Sequence, residues 1–379
     1  MTKNNIKTLF IIVLLAALVV CFYGWVWGSR AEVGGDKTEI ELSSGEVFKW
    51  QMVTTWPKNL PGLGAAPENF AKLIKEISNG RLTVEVFGAG ELVPALQVFD
   101  AVSSGAVQMG HGAAYYWKGK APAAVFFTSI PFGLTAQELN GWFFYGGGIE
   151  LWRKTYKPFG VVPYPGGNSG VQMGGWFNKR IDTLDDLQGL KMRIPGLAGE
   201  VFTRAGGTAV VVPGGELYTS MQTGVIDATE WVGPYNDVAF GFDKVAKYYY
   251  YPGWHEPGGA LEFIVNENAL AQLPTDLQAM VKVATQAINA DMLNDYAAAN
   301  SRSYTQLQKN NDVEILRYPD DVLIKLKNIS YEILAEEASK DPLFAEVYAS
   351  YKDFQESAEP YTEISEQAYG ETRQLILTP

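Results

Sequence analysis

The chain has one cysteine in 379 residues, Cys21, and it lies inside an apolar N-terminal run. A single thiol leaves no internal disulfide, no thiolate metal cage and, once a leader is removed, no cysteine nucleophile. A thiol-free chain suits an oxidising compartment. Histidine is almost as scarce. His111 and His255 stand far apart in sequence, and each reads as structural. No G-x-S-x-G elbow, H-E-x-x-H pair or G-x-x-x-x-G-K-[ST] loop occurs. Gly146-Gly147-Gly148 lacks the Lys-Ser/Thr of a phosphate loop and reads as a turn. Carboxylates and tyrosines alone can catalyse, but no base–nucleophile or metal constellation is visible, and no catalytic residue is assigned.

Positive charge is also in deficit. The formal net charge is −12, and residues 1–31 hold Lys3, Lys7 and Arg30 without an acid, so the remainder carries −15. Little is left to neutralise phosphates, which argues against a nucleic-acid partner. A small anion is a different matter, since one well-placed arginine can hold it.

What is present begins with a leader. Lys3 and Lys7 precede the uncharged run LFIIVLLAALVVCFYGWVWG at 9–28, followed by Ser29-Arg30-Ala31 as a small-x-small cleavage site. This is the layout of an export signal. The run is nearly long enough to span a bilayer, so residues 1–31 read as a signal peptide or an uncleaved N-terminal anchor. Val20 stands where a lipoprotein site wants a small residue, so lipidation of Cys21 is not expected. Residues 32–46 read as a linker. Roughly 350 residues follow the leader, enough for two domains of ordinary size.

Beyond the linker, strand and helix patterns alternate. Residues 47–53 and 82–86 read as strands, and 107–109 as a short one. Between them, Pro67 suits a first helical position, and Phe70, Leu73, Ile74 and Ile77 recur at helical spacing. A second helix is expected near 94–104. The pattern restarts with strands at 160–164, 171–177, 190–194 and 208–212, and helices at 183–188, 197–205 and 214–223. A late strand follows at 260–265. The alternation predicts an α/β fold with largely parallel sheets covered on both faces, in two lobes around a central cleft. The expected division is 47–166 plus 260–330 for lobe I and 167–259 for lobe II. Residues 275–309 read as a long helix, 313–316 as a last strand, and 320–374 as mostly helix broken at Asp341-Pro342. A C-terminal helical extension at 331–379 must pack either on its own lobes or on a second subunit. No internal repeat or low-complexity tract appears.

Three loop-rich segments mix charge, amide and aromatic groups. In Gly167–Trp176, Gln172 alternates with Val171 and Met173 on an expected strand, pointing either into the cleft or to solvent. In Lys191–Gly196, Arg193 ends a short strand, where α/β folds place ligands. Its fork either holds a carboxylate in two parallel hydrogen bonds or pairs with Asp185 or Asp186. In Asp227–Asp237, Glu230 and Trp231 end a strand before a turn, and Glu256 lies at an expected lobe crossing. These glutamates are either solvated or turned into the cleft. If turned in, they meet an anionic ligand with one arginine between three negative charges, and a cation would resolve the excess. Carboxylates, the Gln172 amide oxygen and a carbonyl near Trp231 form an all-oxygen set suited to sodium, calcium or magnesium. Tyr115 and Tyr116 follow the first lobe's short strand, and the strand period lets at most one reach a ligand.

At these segments the chain resembles the solute receptors of tripartite ATP-independent periplasmic (TRAP) transporters, closest to the 2-oxo acid receptor branch. The resemblance is carried by VTTWPKNLPGLG at 53–64, the stretch from GAGELVPALQVFDAV through AAYYWKGKAP at 88–122, GNSGVQMGGWF at 167–177, GLKMRIPGLAGEV at 189–201, DATEWVGPYNDVAFG at 227–241 and YYYYPGWHEPGG at 248–259. It implies a periplasmic two-lobed receptor that closes over a small monocarboxylate, such as pyruvate or lactate, and delivers it to membrane permease subunits. It implies that Arg193 pairs with the ligand carboxylate and that Tyr116 reaches it from the first lobe, with Tyr115, Asn168 and Tyr235 as further candidates. Gln172, Glu230, the carbonyl of Trp231 and Glu256 would surround a sodium or calcium ion bound with the substrate. Many relatives carry a second arginine where Gln172 stands and an asparagine where Trp231 stands, which argues against a four-carbon dicarboxylate or sialic acid. The resemblance also implies a homodimer in which the long C-terminal helix crosses to the partner. A ligand-sensing ectodomain and an enzyme acting on a small organic acid are the alternative functions.

Overall fold

The computed structural model describes residues 45–376. The expected signal peptide or anchor at 1–31, Cys21 with it, and all but the end of the 32–46 linker lie outside the described residues. Among the described residues the strands are β1 (Phe48–Thr54), β2 (Leu82–Phe87), β3 (Met109–Gly112), β4 (Val161–Asn168), β5 (Gly175–Phe177), β6 (Lys191–Arg193), β7 (Thr208–Val210), β8 (Ala228–Thr229), β9 (Tyr248–Tyr251), β10 (Ala260–Asn266) and β11 (Glu314–Arg317). They form two sheets, ordered β2-β1-β3-β10-β4 and β11-β9-β5-β8-β6-β7. The two-lobed α/β architecture read from the sequence is what folds.

The sheets are more mixed than the alternation suggested. β1, β2 and β3 run parallel, but β10 lies antiparallel between β3 and β4. β5 is antiparallel to both β8 and β9. The reason is topological: β4 carries the chain out of the first sheet and β10 brings it back alongside, which needs no crossover helix. β11, expected with the first lobe, pairs instead with β9 in the second sheet.

One contiguous apolar core packs against both sheets. Phe70 and Ile74 are fully buried on the inner face of the helix Ala65–Ile77, and the Phe70 ring packs 4.7 Å from Phe263 of β10. In the second sheet the Trp176 indole stacks on Tyr249 at 4.0 Å. Burying one such ring contributes about 2–3 kcal/mol. All residues of β3 and of β10 are buried, as strands covered on both faces must be.

Two loops that cross between the sheets, 169–174 and 252–259, are bonded to each other. Ser169 N donates to Gly259 O (3.0 Å), Gln172 N to Glu256 O (3.1 Å) and Gly253 N to Gln172 O (3.0 Å). Gln172 therefore sits in a crossing loop rather than on the expected strand, because its backbone groups are claimed by the partner crossing. The helix Thr275–Leu307 spans both lobes: Asn289 accepts from Gly167 N at 3.2 Å, and Asn300 accepts from Tyr235 N at 2.9 Å.

The C-terminal helices clasp both lobes. From Asp320–Lys340, Glu336 pairs with Arg204 of the second lobe. From Pro342–Thr362, Phe344 packs 4.9 Å from Phe126, and the Tyr351 hydroxyl oxygen accepts from Leu134 N in the first lobe at 2.7 Å. The expected break is real: Asp341 Oδ1 accepts from Leu343 N and Phe344 N, capping a helix whose first residue is Pro342. Among the described residues no helix is long and apolar enough to cross a membrane.

Candidate binding site

Arg193 closes β6 with a fully buried side chain. Its expected alternative partners are absent from it. Asp186 caps Thr183, accepting from Thr183 N (2.8 Å) and Oγ1 (3.1 Å). The guanidinium instead pairs, through one terminal nitrogen, with Oε1 of Glu230, which is also fully buried. Its other terminal nitrogen donates to the Tyr116 hydroxyl at 3.2 Å, which carries the contact from the second lobe to the first. The Trp231 ring lies beneath, its centroid 5.2 Å from Arg193 Cζ. Burial works against the Arg193 charge, but the Glu230 carboxylate and the two neighbouring tyrosines outweigh it and hold the pKa above its ordinary value.

Glu256 arrives from the 252–259 crossing and is buried beside Glu230. Gln172 Nε2 donates to its Oε2 at 2.7 Å and to Ser169 Oγ at 3.1 Å. Burial, then the charge of Glu230, pushes Glu256 up to about 8. With Glu230 paired to Arg193, an ionised Glu256 would have no positive partner of its own, which is why it holds its proton until a cation joins it. Two oxygens in the same cluster, Gln172 Oε1 and Glu230 Oε2, are buried and find no hydrogen-bond partner. These residues fit a hard cation: the unpartnered oxygens and the second carboxylate are its natural donors.

His255 is a residue that the sequence reading set aside. It is buried, and its Nε2 stands 3.3 Å from Glu230 Oε2, within ion-pair distance but outside hydrogen-bond alignment. Glu230, His255 and Glu256 can each present one ligating atom within 4.8 Å of the others. Its adjacency to Glu256 was the signal available, and its distance from His111 hid it.

Arg193, Tyr115, Tyr116, Gln172, Trp231 and Glu256 all border one small cavity of about 20 Å³ between the lobes. Ser169, Trp56, Leu63, Val232 and Leu261 border it too and were not singled out from sequence, since apolar walls look like any core residue there. Asn168 and Tyr235 do not border it. Asn168 Oδ1 turns back to accept from Gly170 N at 2.8 Å, and the Tyr235 ring packs 5.7 Å from Tyr296. Larger clefts exist elsewhere, such as one of about 690 Å³ beside Arg153 and Lys282, but they lack the converging buried charges.

Beneath the site, Asp237 fixes the turn that follows Trp231. It accepts from Val232 N (3.2 Å), Gly233 N (3.0 Å), Trp176 Nε1 (3.0 Å) and Tyr249 Oη (2.7 Å). The arrangement can hold a small anion at Arg193 and a cation among the carboxylates, both shielded from water.

Known proteins share this architecture. Residues 52–341 match the bacterial extracellular solute-binding proteins of family 7. A monocarboxylate 2-oxoacid-binding periplasmic protein of Nostoc sp. is 46% identical over 321 residues, 85% of this chain and 88% of that protein. A TRAP periplasmic solute-binding protein of Pseudoalteromonas atlantica, solved with sodium and pyruvate, superposes with a TM-score of 0.84 at 46% identity, over 86% of this chain and 99% of that one. One from Bordetella bronchiseptica superposes with a TM-score of 0.86 at 35% identity, over 88% and 99% of the two chains. That protein is a mixed-occupancy dimer with copurified calcium and picolinate at one site and the other apo.

Proposed function

The chain belongs to bacterial extracellular solute-binding protein family 7, and we propose that, as the periplasmic receptor of a TRAP transporter, it captures a small 2-oxo or 2-hydroxy monocarboxylate together with sodium or calcium and hands it to the membrane permease. The family is one of transport solute-binding proteins. The observation that carries the ligand class is the buried Arg193, held by Tyr116 from the opposite lobe, at the end of a cavity of about 20 Å³. One buried guanidinium matches one carboxylate, which suits a monocarboxylate.

Arg193 orients the ligand carboxylate, and Tyr116 couples that event to lobe closure because its hydroxyl reaches Arg193 only when the lobes meet. Gln172, Glu230, Glu256 and the carbonyl of Trp231 hold the cation. When bound, the cation supplies the positive charge that lets an anion share a pocket with two glutamates. The two lobes, with β11 counted in the second, carry this closure, and the crossings at 169–174 and 252–259 are the segments that flex. Similar proteins hold pyruvate with sodium and picolinate with calcium, which supports this reading.

The leader at 1–31 would export the chain to the periplasm. The C-terminal helical extension would supply a homodimer contact. Tyr361, Ile364 and Tyr369 are exposed there, and apolar groups clustered at a chain end call for a partner. A thermal-shift series with purified protein tests the function: pyruvate or lactate with calcium should raise Tm more than the two separate additions combined. Equal effects from acetate and from pyruvate would overturn the ligand class.

A further inference from the structure

One wall of the cavity is an indole whose orientation is fixed from behind. Trp56 follows β1 and is buried. Its ring meets Tyr116 of its own lobe and Trp231 of the other, each at a centroid distance of 6.2 Å, the second edge to face. Tyr116 and Trp231 both also touch Arg193. The indole and Arg193 thus share these two rings as neighbours, and both line the same small cavity.

Trp56 Nε1 donates to His111 Nδ1 at 2.9 Å. That fixes Nδ1 as an acceptor, so the proton of the neutral imidazole is on Nε2, which donates to Gly166 O at 3.0 Å. His111 is on β3 and Gly166 on β4, with β10 between them. The carbonyl is reachable because β4 bulges here: Leu261 pairs with Gly167 and Glu262 with Pro165, leaving Gly166 as the extra residue. A Cβ at Gly166 would lie 2.6 Å from Phe263 N, so the close approach also requires glycine. The His111 ring packs 4.6 Å from Phe263, and burial lowers its pKa to about 4, which keeps the neutral tautomer in place at any physiological pH. A bulge, a glycine and a histidine of fixed tautomer across three strands hold one indole against one small cavity.

Resting on the proposed function, we infer that Trp56 is the residue that sets the length of acid the site admits, and that His111, bridged to Gly166, is the positioning residue that keeps it there. On this reading the chain of an acid held at Arg193 runs toward the indole, whose hydrogen bond to His111 hinders it from turning aside as the chain lengthens. Leu63 and Leu261 border the same end, but as aliphatic side chains they can shift rotamer.

The test is calorimetric titration of wild type, Trp56→Leu, Trp56→Phe, His111→Leu and His111→Gln with pyruvate, 2-oxobutanoate and 2-oxopentanoate at saturating calcium. Wild type should lose about tenfold or more in affinity per added methylene. Trp56→Leu should cut that discrimination about tenfold or more while pyruvate affinity changes only a few-fold, and Trp56→Phe should do so partially. His111→Leu should relax it with the indole still present. His111→Gln, whose amide can accept from the indole and donate to Gly166, should restore it. Wild-type discrimination persisting unchanged in both Trp56 variants, or equal behaviour of the two His111 variants, would overturn the inference. Wild type that binds none of the three acids would instead sink the proposed function, so the two failures are told apart. If Trp56→Leu does not fold, Trp56→Phe and the His111 pair decide alone.

Discussion

Arg193 and Glu230 form an ion pair with both side chains removed from solvent, at the point where the second sheet meets the first lobe. The pair does two jobs. It neutralises a charge that could not otherwise be buried, and it holds the guanidinium fork facing a cavity. Removing one member leaves the other uncompensated. Arg193→Ala should therefore cost about 3–5 kcal/mol of stability and weaken pyruvate binding by about 100-fold or more. The double variant Arg193→Ala/Glu230→Gln should recover most of the stability and none of the binding. Chemical denaturation beside calorimetry separates the two effects. Retained affinity in Arg193→Ala would refute the carboxylate pairing.

Buried acids away from the cation cluster give a pH signature. Burial pushes Glu262 from 4.5 up to about 7, although it accepts from Trp117 Nε1 (2.5 Å) and Tyr156 Oη (2.9 Å). Burial likewise pushes Asp237 from 3.8 up to about 6. In both cases the folded pKa lies above the unfolded one, so the folded state binds more protons between the two values. The stability this contributes is present below the unfolded pKa and is lost as pH rises through the folded one. For Glu262 the loss between pH 4.5 and 7 is about 3 kcal/mol. Glu262→Gln keeps the shape and one acceptor for Trp117, while its amide can donate to Tyr156 Oη, so its stability relative to wild type should increase as pH rises from 5 to 8. Parallel melting curves that keep a constant gap across that range would contradict this.

The C-terminal contact makes a separate prediction. Ile364→Glu with Tyr369→Ser should shift sedimentation from dimer to monomer while leaving the fold intact, because neither side chain is buried within its own chain. A wild-type protein that sediments as a monomer at micromolar concentration would end the dimer proposal.

How much of this was legible in the sequence depends on the range of the interactions. Arg193 at the end of a short strand and the break at Asp341-Pro342 are local features, and both could be read directly. Gln172 was placed on a strand because its neighbours alternate, but bonds to Glu256 O and from Gly253 N, across 80 residues or more of sequence, hold it in a loop. The antiparallel insertion of β10 was hidden for the same reason: periodicity reports which face a residue takes, not the direction of its neighbour. Trp56 carries no charge to flag it, and its link to Gly166 through His111 exists only once β3, β10 and β4 lie side by side. His255 was judged by its distance from the other histidine rather than by its adjacency to Glu256.

Gln172 offers a milder probe of the cation. Its Oε1 is buried without a partner while its Nε2 is engaged by Glu256. Gln172→Met should weaken calcium binding about tenfold or more, since a thioether is a poor ligand for a hard ion. Its effect on pyruvate should appear mainly through the lost cation. Unchanged calcium affinity, measured by titration of the chelator-stripped protein, would remove Gln172 from the cation set.

The central claim is that acid and cation occupy one site and assist each other. Titration of pyruvate into chelator-treated protein, without and then with calcium, measures this directly. The account predicts affinity at least about tenfold higher with the cation, and calcium affinity raised by the same factor when pyruvate is present, because coupling is reciprocal. Equal pyruvate affinity with and without any cation would contradict it.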